Sequence, residues 1–420
     1  MEELIAIVLF LVVIGIVASE KIHRTKIALA GAAVVVLFGL IDSEHAIEAI
    51  DWEVLGLLAG MMILVWGAEQ SGAFTYAAIR VGQMSRGRPA SLIFGLTAAT
   101  AVMSAFLDNV TTVLLVVPIT FVIADALDLD PIPLVIAEVI ASNIGGAATL
   151  IGDPPNIIIA GASGLGFNEF LINVGPPAVV AYVLVTIGLY FAYRKQLNPD
   201  PSRVLQLDSL DPKASLGPKR DVVTILVILG LTIIGFFLHQ PLHIEPATIA
   251  LSGAALFLLV GRLDIEKPLE AIEWPTLFFF VGLFVMVGAL EVNGTLDRIA
   301  EWLADTTEGD KTAEVLGIAW LSAIASGFVD NIPFTAAMAP VVDRLSEDGD
   351  DTSWWALSIG ACYGGNLTLI AASANLVASG AVSRAGRKLS FGRFLKIGIP
   401  ATFVSMLIGT GWLLILLQLR

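Results

Sequence analysis

One cysteine, Cys362, and four histidines are all that the 420-residue sequence offers in thiols and imidazoles. A single thiol excludes an intramolecular disulfide and a thiolate cluster, and four scattered imidazoles give no zinc-ligand spacing. Charge is also scarce: Asp, Glu, Lys and Arg make up 15% of the residues, against about 25% in soluble domains. The balance is acidic, 23 Lys and Arg against 38 Asp and Glu, and an acidic surface repels phosphate, which argues against a nucleic-acid partner. Basic residues are missing from the apolar opening MEELIAIVLFLVVIGIVAS, which carries Glu2 and Glu3 where a secretory signal carries Lys or Arg. The segment is therefore expected to be retained as a helix.

Apolar residues fill the rest: 56% of the chain is hydrophobic and the mean hydropathy is +0.85. A helix needs about 20 apolar residues to cross the hydrocarbon of a bilayer. Stretches of that kind recur near 3–19, 26–41, 54–70, 174–193, 221–239, 245–261, 275–292 and 397–418. Between them, apolar zones at 89–126, 131–163, 312–342 and 353–383 are interrupted by Gly, Pro, Asn and Asp. The chain is expected to be an all-α polytopic protein of the plasma membrane, with the lipid bilayer as its first partner. Cytoplasmic loops collect Lys and Arg. With KIHRTK (21–26) inside and 89–126 and 312–342 as re-entrant hairpins, only Arg298, Lys311, Arg344 and Arg420 of the 23 basic residues fall outside. That bias predicts an outside N-terminus and a cytoplasmic connector at 194–220; two full crossings in place of either hairpin would leave the charges where they are.

A displacement of 222 residues aligns KIALAGA (26–32) with TIALSGA (248–254), EAIDW (48–52) with EAIEW (270–274), Glu69 with Glu291, and Asp108 and Asn109 with Asp330 and Asn331. The halves, 1–193 and 221–420, share one plan, and the charge-derived topology makes them run in opposite senses. The expected fold is two inverted repeats of about five to six elements each, with two re-entrant hairpins and two broken transmembrane helices. Secondary transporters use such repeats to expose one central site to each side in turn. Duplication without active transport, as in some channels, is the alternative.

An ionised side chain near the bilayer centre costs at least about 2.5–3.5 kcal/mol on insertion scales and marks a functional site by default. SAFLDNVTT places Asp108 beside Asn109, with Ser104, Thr111 and Thr112 close by, and SGFVDNIPFT places Asp330 beside Asn331, with Ser326 and Thr335. Carboxylate, amide and hydroxyl oxygens suit a hard cation, so Asp108, Asn109, Asp330 and Asn331 are the expected sodium ligands. Capping of each hairpin's second arm by its Asp is the plainer alternative. In SNIGGAATLIGDPPNIII (142–158), Gly145, Gly146, Gly152, Pro154 and Pro155 do not fit one continuous helix. A break at membrane depth must line a buried or watered cavity, which makes Ser142, Asn143, Gly145, Asp153 and Asn156 candidates. GGNLTLIAASANLV (364–377) follows the same logic with Gly365, Asn366, Thr368 and Asn375, where Thr368 matches Thr149 and Asn375 matches Asn156. An ordinary packed kink is the alternative for both.

Glu138 and Asp153 have no acidic counterpart in the second half. A buried carboxylate beside a bound cation is suited to taking up and releasing a proton, so Glu138 is the proton-coupling candidate, or else an interhelical hydrogen-bond partner. No Lys or Arg falls in the cores of the four interrupted zones. That leaves helix N-termini and bound sodium to meet an anion, and favours a cation as the species bound directly.

SAFLDNVTTVLLVVPIT, followed by AEVIASNIGGAATLIGDPPNIIIA, resembles the ion transporter superfamily, in its branch of arsenite-efflux permeases, NhaD-type sodium/proton antiporters and the melanosomal P protein. The resemblance covers essentially the whole chain and extends to the divalent anion:sodium symporters. It implies a homodimer working by an elevator motion, with hairpins and broken helices moving against a scaffold. Carried over by position, the sodium sites would include Ser104, Asp108, Asn109 and the break around Gly145, then Asp330, Asn331 and the break around Gly365 and Asn366. The related dicarboxylate carriers have Ser-Asn-Thr at the hairpin tips, where this chain has Asp108, Asn109 and Val110, and Asp330, Asn331 and Ile332. The added negative charge counts against citrate-like or succinate-like substrates. The expected function is exchange of sodium for protons, with no enzymatic step and sodium as the only cofactor. The alternative is a permease for arsenite or another small anion driven by a proton or sodium gradient.

Overall fold

A computed structural model describes all residues except 1, 20, 200–202, 205–206, 208, 262–263, 347–349 and 420. Arg262 and Arg420 of the charge count, and parts of the 194–220 connector and of the acidic stretch 346–351, lie outside the described residues. The chain is all-helical, with no strand among the described residues. The first half runs α1 (Glu2–Ser19), α2 (Arg24–Leu37), α3 (Ser43–Glu48), α4 (Trp52–Gln70), α5 (Ala73–Ser85), α6 (Pro89–Leu107), α7 (Asn109–Ala126), α8 (Ile132–Ala147), α9 (Pro154–Ser163), α10 (Phe167–Asn173) and α11 (Gly175–Tyr193). The second runs α12 (Lys219–Leu242), α13 (Pro246–Gly261), α14 (Glu266–Glu270), α15 (Trp274–Val292), α16 (Thr295–Thr306), α17 (Lys311–Phe328), α18 (Asn331–Leu345), α19 (Thr352–Gly364), α20 (Ser373–Arg384) and α21 (Phe391–Leu419). Among the described residues, seven helical stretches are long and apolar enough to cross a membrane.

Helix boundaries follow local chemistry. Asp51 caps α4 by accepting from Val54 N at 2.9 Å, and Asp310 caps α17 by accepting from Thr312 N at 2.8 Å. Proline stands in the first turn of α6, α8, α9, α11 and α15, where its missing N–H is no loss. Gly72 and Gly294, 222 residues apart, both hold a left-handed φ of 71° where a long helix turns into the short α5 or α16.

Two parallel helix pairs form the frame. Thr25 Oγ1 donates to Pro275 O at 2.6 Å, Gly282 abuts Ala28 and Gly31 abuts Met286, so α2 and α15 run side by side in one direction. Gly56, Gly60 and Gly67 abut Ala247, Ala250 and Phe257, so α4 and α13 do the same. The approach of α4 begins with Ala49 against Gly288 on α15, and its residues Leu58 and Met61 return to the level of Arg24 and Thr276. Helix α4 therefore runs against both α2 and its own counterpart, α15.

The other layer holds the interrupted segments. Helices α6 and α7 form a hairpin turning at Asp108, and α17 and α18 form one turning at Val329 and Asp330. Each first arm packs along a helix buried at every position, α6 on α8 and α17 on α19. The second arms cross to the other half, α7 against α20 and α18 against α9. Ion pairs gather at the two ends of the molecule. Arg387 with Asp125 at 3.2 Å and Arg393 with Asp130 at 2.9 Å join loops that the charge bias assigns inside. Arg298 with Glu3 at 2.9 Å and Arg344 with Glu291 at 3.3 Å join segments that it assigns outside.

Candidate ion-binding site

Four helices begin at the junction of the two halves: α7 and α18 at the hairpin turns, α9 and α20 after the breaks. Their unpaired N–H groups and dipoles favour negative charge. Three carboxylates stand there. Asp108 Oδ1 accepts from Thr111 N at 2.9 Å, and Asp330 Oδ1 accepts from Ile332 N at 3.0 Å. Asp153 precedes α9 without capping it. Its carboxylate takes the Asn331 side chain instead, with Nδ2 3.3 Å from Oδ1.

The hairpins are stitched to the breaks by equivalent bonds. Ser104 Oγ donates to Ser142 O at 2.7 Å and Ser326 Oγ to Ala361 O at 2.9 Å. Thr149 Oγ1 donates to Ala105 O and Thr368 Oγ1 to Gly327 O at 2.7 Å. Inside each break an asparagine satisfies freed carbonyls. Asn156 Nδ2 donates to Ala147 O at 3.1 Å and Thr149 O at 2.8 Å, and Asn375 Nδ2 donates to Gly365 O at 2.7 Å and Thr368 O at 2.9 Å. An amide chain crosses the junction: Asn109 Nδ2 donates to Asn143 Oδ1 at 3.2 Å, and Asn143 Nδ2 reaches Asn366 Oδ1 and Asn375 Oδ1 at 3.0 Å each. Asn109 Oδ1, Thr112 Oγ1 and Asn366 Nδ2 are buried with no partner. A buried polar atom left unpaired costs about 1–3 kcal/mol, so these atoms mark a place built to meet something else.

At the same hairpin turn, a chamber of about 40 Å³ is lined by Asp108, Thr111, Glu273, Thr276, Ser373 and Arg24 among others. A water needs about 10–15 Å³ of such volume, so the chamber has room for a small ion with part of its hydration. Asp108 itself holds φ 99°, ψ 154°, a region that is essentially glycine's and costs about 1–3 kcal/mol.

These arrangements belong to a recognisable lineage. A family model described as citrate transporter matches residues 13–360. The chain belongs to the citrate transporter family. An uncharacterized transporter of Mycobacterium tuberculosis is 40% identical over 98% of both chains, and a 46 kDa membrane protein of Mycobacterium leprae is 39% identical over 96% of both. The mouse P protein is 34% identical over 95% of this chain, which spans 58% of that protein's length. Among solved structures, the YdaH transporter of Alcanivorax borkumensis matches 98% of this chain and 97% of its own, at 17% identity and a TM-score of 0.60. The likeness is one of fold. The chain is thus a multi-pass secondary transporter of the citrate transporter family.

Within that family architecture, the site departs from the sequence expectation in several places. A basic residue does reach it: Arg24, at the start of α2 and outside the four interrupted zones, lies 3.6 Å from Asp330 Oδ2 and donates to Ser373 Oγ. Ser373 Oγ in turn donates to Asp330 Oδ2 at 2.9 Å. The two hairpin aspartates are therefore unlike, since among the described residues no ion pair reaches Asp108. Helix α8 continues to Ala147, so Gly145 lies in its last turn rather than in the break. Its missing side chain lets α8 press onto the Ala101 backbone. Thr335 Oγ1 is spent on Asn331 O, 2.8 Å away in its own helix. Glu138 sits apart from the chamber, bonded through Oε1 to Thr120 Oγ1 at 2.6 Å, with Oε2 buried and unpartnered. Arg24, Glu273, Thr276 and Ser373 escaped the sequence reading. The available signal was broken symmetry, because Arg24 and Ser373 align with Pro246 and Pro154.

Proposed function

We propose that the chain exchanges sodium for protons, with its halves acting as inverted repeats that expose the junction alternately by an elevator motion. The observation that carries this reading is the pair of unpartnered buried oxygens, Asn109 Oδ1 and Thr112 Oγ1, in the first turn after Asp108. A dehydrated sodium ion needs several oxygen donors and one compensating charge, which this turn supplies. Asp108 and Asp153 release their protons as the ion arrives, and Glu138, with its unpartnered Oε2, relays protons along α8. Sodium is the expected coupling ion, and Asn331 orients Asp153. The assembly expected is a homodimer in the plasma membrane, with the N-terminus outside and the connector cytoplasmic.

Arg24 supports a second reading. A fixed guanidinium suits a small anion, and the family model carries a citrate description, so arsenite, citrate or another anion driven by a proton or sodium gradient is the alternative substrate. Purified protein in liposomes with a preset proton gradient separates the two. Under sodium/proton exchange, added sodium collapses the gradient in the native protein and leaves it intact in Asp108→Asn. A collapse driven by citrate or arsenite and indifferent to sodium overturns the exchange reading.

A further inference from the structure

A second cavity of about 280 Å³ opens beside the end of α1 and is lined by Val17, Ile22, His23, Arg24, Asp330 and Ser373 among others. Two of its lining residues, Arg24 and Ser373, also line the chamber that holds Asp108 and Thr111. One guanidinium is thus a wall of both spaces. It is held on several sides: Nη1 donates to Ser373 Oγ, Nη2 donates to Thr276 Oγ1 at 3.3 Å, and Cζ lies 5.2 Å from the centre of the Phe279 ring. Thr276 and Phe279 belong to α15, the frame partner of α2, whereas Asp330 and Ser373 belong to the second hairpin turn and the start of α20.

We propose that Arg24 is a built-in counter-cation, which neutralises Asp330 and closes the neck between the open cavity and the Asp108 chamber until an arriving cation displaces it. This rests on the chamber being the ion site. The physical argument is charge balance. A carboxyl group in a poorly solvated junction is neutralised either by a proton or by a nearby cation, and arginine, which stays protonated at any physiological pH, supplies the second to Asp330. The guanidinium therefore leaves Asp330 only by swinging away on its stem, and that movement opens the neck. Occupancy of Asp330 by a mobile cation and access to the chamber become one event. The first hairpin lacks such a device: the residue aligned with Arg24 is Pro246, so Asp108 is left to a proton or a mobile cation.

The experiment places a thiol in the chamber of the full-length protein, as Thr111→Cys, and measures its modification by a membrane-impermeant trimethylammonium methanethiosulfonate reagent in vesicles. Adding Arg24→Ala is expected to speed labelling from one side of the membrane by about tenfold, equivalent to about 1.4 kcal/mol. Arg24→Lys, which keeps the charge, is expected to stay slow. Met62→Cys reports on the same chamber should Thr111→Cys misfold. Equal rates with and without Arg24 overturn the proposal. In the same variants the KM for sodium is expected to fall when Arg24 is replaced by Gln, because an internal competitor is gone; an unchanged or higher KM also overturns it. If the native protein moves no sodium, the exchange reading fails, and the labelling rates still decide whether Arg24 closes the neck.

Discussion

Asn331, at the turn of the second hairpin, donates its side-chain amide to Asp153, in the break of the first half, with Nδ2 3.3 Å from Oδ1 and 3.5 Å from Oδ2. The bond joins a hairpin from one half to a broken helix from the other, so the position of each depends on both. Asp153→Asn keeps the volume and can still accept from Asn331, while Asn331→Ala takes the amide donor from a buried carboxylate. The first variant is expected to keep the native melting temperature and lose transport. The second is expected to lose about 1–3 kcal/mol of stability as well. Thermal unfolding in detergent alongside liposome flux checks both.

Asp108 combines a strained backbone with a capping bond to Thr111 N. Replacement by glycine relieves about 1–3 kcal/mol of strain and removes a cap worth about 1 kcal/mol. The two effects oppose each other, so Asp108→Gly is expected to fold with nearly native stability and to lose transport. A protein that is stable but inactive assigns the loss to the carboxylate rather than to misfolding.

If protons and sodium share that carboxylate, they compete. Lowering the pH fills the site with protons, so the apparent KM for sodium is expected to rise as pH falls. The limiting slope is about tenfold per pH unit for each proton that sodium displaces, as mass action requires. Initial rates of sodium-driven proton release across a pH series measure it, and a KM independent of pH would mean that the two ions occupy different groups.

Ser104 and Ser326 make the same bond to a broken-helix carbonyl in each half, at 2.7 and 2.9 Å. Interhelical hydrogen bonds within membranes are worth about 0.6 kcal/mol on average and up to about 1.7. Ser104→Ala and Ser326→Ala are expected to cost similar amounts within that range. Their combination tests whether the two stitches act independently, and calorimetry of the single and double variants gives the answer.

Much of this architecture was written in the chain. Apolar length located the frame helices, and Gly-Pro clusters located the breaks, because both properties act through a few neighbouring residues. The aspartates at the hairpin turns were legible for a related reason: an ionised group in a run such as LIFGLTAATAVM to VLLVVPITFVIA has no local explanation. Arg24 was hidden because it begins a helix at the end of a basic loop, where the charge rule already accounts for it, and only the tertiary fold carries Asp330 to it. The unlike surroundings of Asp108 and Asp330 were hidden by the very repeat that revealed them, since aligned residues invite equal roles. Reading the mismatched positions, Arg24 with Pro246 and Ser373 with Pro154, would have separated the two.

The frame makes the most stringent test of the repeat. A Cβ on Gly60 would stand 2.7 Å from the Ala250 carbonyl carbon, and one on Gly282 would stand 2.6 Å from that of Ala28. These are one contact made twice, and neither neighbour can retreat because the opposing atoms are backbone. Gly60→Ala and Gly282→Ala are each expected to lose about 1–3 kcal/mol, as overpacked cores do. Gly188 in α11 and Gly230 in α12 have nothing within 4 Å of their added Cβ, so alanine there is expected to stabilise by about 0.5–1 kcal/mol through helix propensity alone. Four melting curves decide the matter. If all four substitutions behaved alike, the close parallel pairing of α2 with α15 and of α4 with α13 would be wrong, and with it the opposed course of α4 and α15 on which the proposed alternating exposure depends.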